Sequence, residues 1–321
     1  MDGPGHGRTV HGTLSQVRSG VRCRCAVPLS VTLAASAVLC AGASAQTGAP
    51  DITWIPERPR EGELFVVRVT PATDDPVVLI AGQARTEPLH FERDPSGSFA
   101  SLAAVPLGER SEFWVSLTLV YADGSERQVN ERVPVLAGTY NHRELRVSPA
   151  LGSPPNAAQR ERRARESAMA AEVSTSAHRT PRMWTSAVML PRDDRVTSSF
   201  GDGRVFNGQV SSRHTGLDLD GDTGDTVVAA TRGVVAITGQ FELAGNNVYI
   251  NHGAGLVSAY FHLSEQLVSV GDTVEVGTPI GRVGATGRVT GPHLHWVVRY
   301  GHTSVDPRSL LAASAEVPSP Q

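Results

Sequence analysis

The stretch Gly291-Pro292-His293-Leu294-His295-Trp296, continued by Val297-Val298, decides how the rest of the chain is read. Gly-Pro marks a loop, and the apolar residues after it mark the start of a β-strand. Side chains alternate across a strand, so His293 and His295 are expected on one face, with Leu294, Trp296 and Val298 pointing into a core. Two imidazoles on one face suit a metal site in which one ring binds the ion and its neighbour handles protons. A bare His-x-His pair also fits a purely structural role, so the deciding residues must lie elsewhere.

They lie upstream. In Arg213-His214-Thr215-Gly216-Leu217-Asp218-Leu219-Asp220, an extended backbone places His214, Gly216 and Asp218 on one face and Leu217 and Leu219 on the other. The glycine leaves room between an imidazole and a carboxylate. Zinc accepts both donor types at ~2.0–2.2 Å, and catalytic sites keep three protein ligands and one open position. One imidazole of the 293/295 pair would complete a His2Asp set. A further segment, Tyr260-Phe261-His262-Leu263, ends an expected strand whose alternation puts Ser258, Tyr260 and His262 on one face, opposite Ala259 and Phe261. A histidine so placed is equally at home as a hydrogen-bonded edge or core residue.

Taken in order, His214-x-x-x-Asp218, His262 in a Tyr-x-His-Leu setting and His293-Leu-His295 resemble the peptidase M23 (lysostaphin/LytM-type) zinc metallopeptidases. The surrounding pattern agrees: Thr197-Ser198-Ser199-Phe200-Gly201 before the site, Gly271-Asp272-x-Val274-x-x-Gly277-x-x-Ile280-Gly281 after His262, and Gly284-x-Thr286-Gly287 leading into Gly291-Pro292. The resemblance covers roughly residues 190–311. It implies one Zn2+ per domain held by His214, Asp218 and His295, with His262 and His293 as the unliganded catalytic pair. It also implies peptide-bond hydrolysis in peptidoglycan stem peptides or crosslinks. Members that cut glycine bridges often carry a tyrosine shortly before the first ligand. This chain has Phe206-Asn207-Gly208 there, which directs the expectation toward diaminopimelate-type crosslinks.

The fold class expected is mainly β. Residues 51–147 contain short β-like runs, among them Leu64 to Val69, Val77 to Ile80, Phe113 to Leu119 and Arg127 to Val135. Turn signals such as Asp74-Asp75-Pro76, Asp94-Pro95-Ser96-Gly97 and Asp123-Gly124 separate them, which suggests an immunoglobulin-like β-sandwich. His90 and His142 stand alone there and read as structural or surface residues. Residues 148–182 form a linker whose Asn156 to Glu172 run is rich in alanine and arginine, a helix with a solvated face. Residues 190–312 form a glycine-punctuated antiparallel β domain of M23/LytM type, with one short helical turn near Pro307 to Ala313, and residues 313–321 are a tail. His252 reads as a turn-stabilising residue outside the site, and His178 and His302 are also left out of it.

Residues 1–45 read as an export signal: Arg18, Arg22 and Arg24, an apolar run from Ala26 to Ala41, then Ala43-Ser44-Ala45 with cleavage before Gln46. Residues 1–20 are unlike a signal n-region, which places the start of the signal near Val21. Val38-Leu39 before Cys40 disfavour a lipid-anchored form. All three cysteines, Cys23, Cys25 and Cys40, fall in this segment, so the mature chain has neither disulfides nor thiolate ligands. The expected location is the periplasm, the cell envelope or the medium, with a monomeric mature chain that does not span a membrane.

Composition excludes other classes. A net charge of −3 leaves no basic footprint for nucleic acid. The glycine-framed hairpin of residues 271–281 resembles lipoyl and biotinyl carrier modules, but those need a modifiable lysine and this chain contains no lysine. The remaining alternative is a catalytically inactive M23-like activator of a cell-wall amidase. Such proteins have typically lost zinc ligands, and this chain keeps all three.

Overall fold

A computed structural model describes residues 48–73, 76–109, 113–185 and 187–318. The expected export signal and all three cysteines lie outside the described residues. Among those described, no helix is long and apolar enough to cross a membrane.

Residues 51–133 form two antiparallel four-stranded sheets. One has the order Asp51–Ile55, Leu64–Thr70, Phe99–Ala104, Glu92–Arg93; the other Glu87–Pro88, Val77–Ala84, Phe113–Tyr121, Glu126–Val133. Phe65, Val67 and Val69 alternate inward against Phe113, Val115, Leu117 and Leu119 of the facing sheet. The intervening Leu64 and Val66 do not face water. With Ala100, Leu102 and Ala104 they join a second cluster that includes Tyr300, Val305 and Leu310 from the C-terminal part of the chain. The first sheet is therefore buried on both faces, which explains why Leu64 to Val69 reads as a nearly continuous apolar run. Backbone contacts close the same seam: Leu64 N–H donates to Ser309 Oγ at 3.0 Å and Asp306 N–H to the Gly62 carbonyl at 2.6 Å.

His90 belongs to this seam, which corrects the reading of it as an isolated histidine. Its Nε2 lies 2.8 Å from His178 Nδ1, and His178 Nε2 lies 3.0 Å from Glu87 Oε2. Folding around the linker brings these three residues together, and nothing local in the sequence announces it.

The linker helix Ala157–Arg179 starts with a capping box between Asn156 and Gln159. It continues past Glu172 to Arg179 because Val173 and Ala177 pack, with Ala170, on Tyr249, Val257, Ala259 and Val297 of the C-terminal sheet. Tertiary burial extends the helix through β-branched residues that propensity alone would not favour. Its arginines are paired rather than free for a polyanion: Arg162 with Glu166 at 2.7 Å, Arg163 with Glu242 at 2.7 Å, Arg165 with Glu161 at 2.6 Å.

The C-terminal sheet runs Val196–Ser198, Leu217–Leu219, Leu294–Tyr300, Leu256–Leu263, Gly245–Gly253, Gly233–Phe241, Thr273–Val274, each antiparallel to its neighbour. One face carries Leu217, Leu219, Leu294, Trp296 and Val298 into the core, as alternation predicted. The opposite face runs under the linker helix at one end and is open at the other, where His295 and Asp218 sit. A small sheet flanks that opening. Its Gly203–Phe206 strand pairs antiparallel with Val210–Arg213 and parallel with His142–Leu145, a strand contributed from before the helix. The short helix near the C-terminus is Pro307–Ala313, where the sequence placed it.

His252 lies where Gly245–Gly253 turns through Ala254 into Leu256–Leu263. Its ring is buried, with Nδ1–H donating to the Arg232 carbonyl and Nε2 facing Ser258 Oγ, each at 2.8 Å. Burial pulls its pKa down to about 4, against the opposing pull of the Arg232 carbonyl. Burial and the neighbouring His178 likewise hold His90 down to about 4. Both rings are neutral when folded but titrate near 6.5 when unfolded, so between those values the unfolded chain binds more protons. Stability is expected to be complete above that window and to fall as the pH drops from 6.5 toward 4. Urea unfolding of chelator-treated protein at stepped pH checks this; a flat profile across the window would contradict it.

Candidate metal centre

Asp218 and His295 are cross-strand partners in the pairing of Leu217–Leu219 with Leu294–Tyr300, so their side chains emerge side by side on one face. His214 arrives from the loop after Val210–Arg213. The three ligand-capable atoms form a tight triangle: His214 Nε2 to Asp218 Oδ1 2.9 Å, His214 Nε2 to His295 Nδ1 2.9 Å, and His295 Nδ1 to Asp218 Oδ1 2.7 Å. All three residues are buried.

The protonation logic favours a cation at the centre of this triangle. His214 Nδ1–H donates to the Ser199 carbonyl at 2.7 Å, which leaves the Nε2 lone pair facing the other two residues. Burial would raise the pKa of Asp218, but the His214 and His295 rings in contact with it outweigh burial and hold the carboxyl well below its usual range. Burial pulls His295 down to about 4, so its ring is neutral near pH 7 despite the adjacent Asp218. A bare imidazole nitrogen and a carboxylate oxygen in contact are two acceptors with no proton between them. Two imidazoles and one carboxylate, buried and converging, form a donor set that fits zinc.

Gly216 makes the convergence sterically feasible. A Cβ there would fall 2.5 Å from the Trp296 carbonyl oxygen and 2.7 Å from His295 Cε1. Gly216→Ala is expected to push the His295 ring aside and weaken zinc binding by roughly 10–100-fold, the range seen when a ligand loses its orientation. Competition with a chromophoric chelator reads this; unchanged affinity would show that the ring tolerates the methyl.

Arg204, on the flanking strand Gly203–Phe206, was not found by sequence reasoning. Its guanidinium donates to Asp218 Oδ2 and, at 2.8 Å, to Ser198 Oγ. It thereby fixes which oxygen Asp218 turns toward the histidines. No spacing rule exposes such a residue, since the pairing depends on a hairpin folding back over the site. The Ser199 carbonyl that orients His214 does lie in a recognised stretch, the Thr197 to Gly201 pattern, but its role is invisible in the residue types.

His262 and His293 flank the triangle. Their ring centroids lie 5.0 Å apart, and the His262 centroid lies 5.8 Å from that of His295. His293 Nε2 is 3.7 Å from Asp218 Oδ1. Each accessory ring is tethered the same way: His262 Nδ1–H donates to the Thr286 carbonyl and His293 Nδ1–H to the Gly291 carbonyl, both at 2.9 Å. Both Nε2 lone pairs are thus left free. Burial, reinforced by His295 and His293, holds the His262 pKa well below its usual value.

Strand alternation misplaced His262. Tyr260, expected beside it, is fully buried in the core on the other face. His262 reaches the site because its backbone is left-handed, with φ at 64°, next to a register shift against Asn246 and Val248. Such a conformation in a non-glycine residue costs on the order of 1–3 kcal/mol and persists only where the surroundings enforce it. Here the His262 N–H donates to the Ala244 carbonyl at 2.8 Å and the ring is tethered to Thr286.

Comparison with known proteins agrees with this geometry. The family model for peptidase family M23 matches residues 212–307, a span containing His214, Asp218, His262, His293 and His295. The chain is 37% identical over 124 residues to the peptidoglycan DD-endopeptidase ShyC of Vibrio cholerae, covering 38% of this chain and 28% of that protein. It is 42% identical over 105 residues to ShyA, a peptidoglycan DD-endopeptidase of the same organism, covering 32% of this chain and 24% of that protein. It is 39% identical over 104 residues to the DD-carboxypeptidase/endopeptidase Mpg of Neisseria meningitidis, covering 32% of this chain and 24% of that protein. The chain therefore spans only about a quarter of the length of these relatives. A crystal structure of a peptidase M23 protein from Pseudomonas aeruginosa shares the fold with a TM-score of 0.60 at 24% identity, over 80% of this chain and 96% of that one. With the motif order, the strand pairing and the family match all falling on the same residues, the chain carries a peptidase family M23 domain across residues 212–307.

Proposed function

We propose that this protein is an exported zinc metalloendopeptidase that hydrolyses peptide bonds in peptidoglycan stem peptides or crosslinks. The observation that carries this reading is the buried triangle of His214, Asp218 and His295, flanked by two tethered imidazoles with free Nε2 atoms. The names of the relatives, two of them peptidoglycan DD-endopeptidases, support the substrate class.

In this reading His214 Nε2, Asp218 Oδ1 and His295 Nδ1 would hold the zinc ion. When bound, zinc supplies Lewis acidity and lowers the pKa of a water molecule toward ~7. The chain's own residues do the rest. Arg204 and the Ser199 carbonyl keep Asp218 and His214 in their binding orientations. One of His262 and His293 accepts the proton of the attacking water at Nε2 and delivers it to the leaving amine. The other, once it carries a proton at Nε2, donates a hydrogen bond to the developing oxyanion. An activator that only bound an amidase would have no use for this pair.

The same reading places the protein in the periplasm or cell envelope as a monomer. It keeps residues 51–147 as an immunoglobulin-like domain, 148–182 as the helical linker and 190–312 as the catalytic domain. The strand orders of the two front sheets support the immunoglobulin-like assignment, because they reproduce the A-B-E-D and C-F-G arrangement of that fold with one extra edge strand. Mass analysis of muropeptides released from purified wall by the protein tests the activity. Dimers converted to monomers are expected; an unchanged profile with zinc-loaded protein would contradict it.

A further inference from the structure

The groove beside the triangle is lined with arginines, although the chain as a whole is slightly acidic. Arg143, Arg204 and Arg288 border the hollow that reaches Asp218 and His293, and Arg204 and Arg288 also border the adjoining hollow that reaches His214, His262 and His295. Most of these cations are committed. Arg204 holds Asp218, Arg143 donates to the Thr197 carbonyl at 3.0 Å, and Arg213 to the Gly201 carbonyl at 2.7 Å.

Arg288 is different. Its backbone N–H is tied to the Leu243 carbonyl at 2.9 Å, and its guanidinium lies over the Phe206 ring at 3.9 Å. Among the described residues no carboxylate or carbonyl accepts from that guanidinium. The two nearest acids in the groove are engaged: Asp218 by the histidines and Arg204, Asp220 by Arg195 at 3.0 Å. Burial, with Arg163 and Arg204 repelling it, pulls the Arg288 pKa down to about 10, so the site is short of negative charge. A guanidinium held over an aromatic ring and bonded to no acceptor has N–H groups to offer, and a guanidinium fork receives a planar carboxylate through two parallel hydrogen bonds.

We propose that Arg288 is the substrate's carboxylate receptor: its guanidinium binds a free carboxylate of the peptide next to the bond being cut. It would make the protein selective for anionic stem peptides over amidated ones. Arg143, delivered to the groove rim by the strand before the linker helix, adds longer-range attraction for the same charge. This rests on the reading of the groove as a peptidase site.

The test uses the full zinc-loaded chain and two crosslinked stem peptides, one with its glutamate and diaminopimelate carboxylates free and one with both amidated. Binding is measured in a His293→Ala background to prevent turnover, and KM and kcat are measured with His293 intact. The anionic peptide is expected to bind at least ~10-fold more tightly, with the preference in KM rather than kcat. Arg288→Gln should erase the preference by raising the KM of the anionic peptide toward that of the amidated one, and Arg288→Lys should restore part of it. Equal affinity for the two peptides in the parent, or a preference that survives Arg288→Gln, would overturn the proposal. If both peptides bind with the Arg288-dependent preference but neither is cut, the peptidase reading fails and the carboxylate site stands. If both are cut without preference, the outcome is the reverse.

Discussion

Asp218→Ala is expected to abolish zinc retention and to lower hydrolysis by roughly 10⁴-fold or more, the scale of losing an essential member of a catalytic constellation. Three roles fail together. The only anionic donor of the triangle disappears, the carboxylate that His214 and His295 both face is lost, and Arg204 is left half-buried beside a void. Asp218→Asn separates these effects. It keeps the shape and an acceptor oxygen but removes the charge that balances the cation, so zinc affinity should fall while the fold stays intact by near-ultraviolet circular dichroism. If Asp218→Asn were as active and as zinc-rich as the parent, the carboxylate would have no part in the site.

His293→Ala and His262→Ala are expected to behave in the opposite way, keeping zinc and losing about 10²–10⁴-fold in kcat, the usual worth of positioned proton transfer. Neither ring contributes an atom to the triangle, and both are held by backbone carbonyls rather than by the ligands. Because the two rings act on one transition state, the double variant should cost less than the product of the two single losses. Steady-state kinetics paired with zinc content distinguishes this from loss of the metal. A variant that lost zinc in proportion to its activity would place that histidine among the ligands.

Much of this site was legible in the sequence because strand periodicity is rigid. His295 and Asp218 share a face, and the leucines between and beyond them fill the core, as the period of two requires. Gly216 as a space-maker could also be read from residue type alone. The periodic argument failed where the backbone left the period. His262 turns toward the site through a left-handed residue beside a register shift, and a sequence pattern carries no mark of that. Arg204 was missed for a different reason: its contact with Asp218 depends on how the hairpin folds, not on spacing.

In the front half, most principal strands and the Asp123-Gly124 turn were readable, while the sheet buried on both faces was not. Leu64 and Val66 look like any strand residues until the C-terminal domain is seen to cover them. The His90, His178 and Glu87 chain was hidden likewise, since its members come from segments far apart in sequence. The linker helix outran its expected end because Val173 and Ala177 gain more from burial on the sheet than they lose in propensity.

Zinc stoichiometry across five single alanine variants, at residues 214, 218, 262, 293 and 295, tests the central claim most directly. The account predicts one zinc per chain in the parent and in the His262 and His293 variants, and essentially none when His214, Asp218 or His295 is replaced. Zinc retained at parental level after loss of any of those three would contradict it.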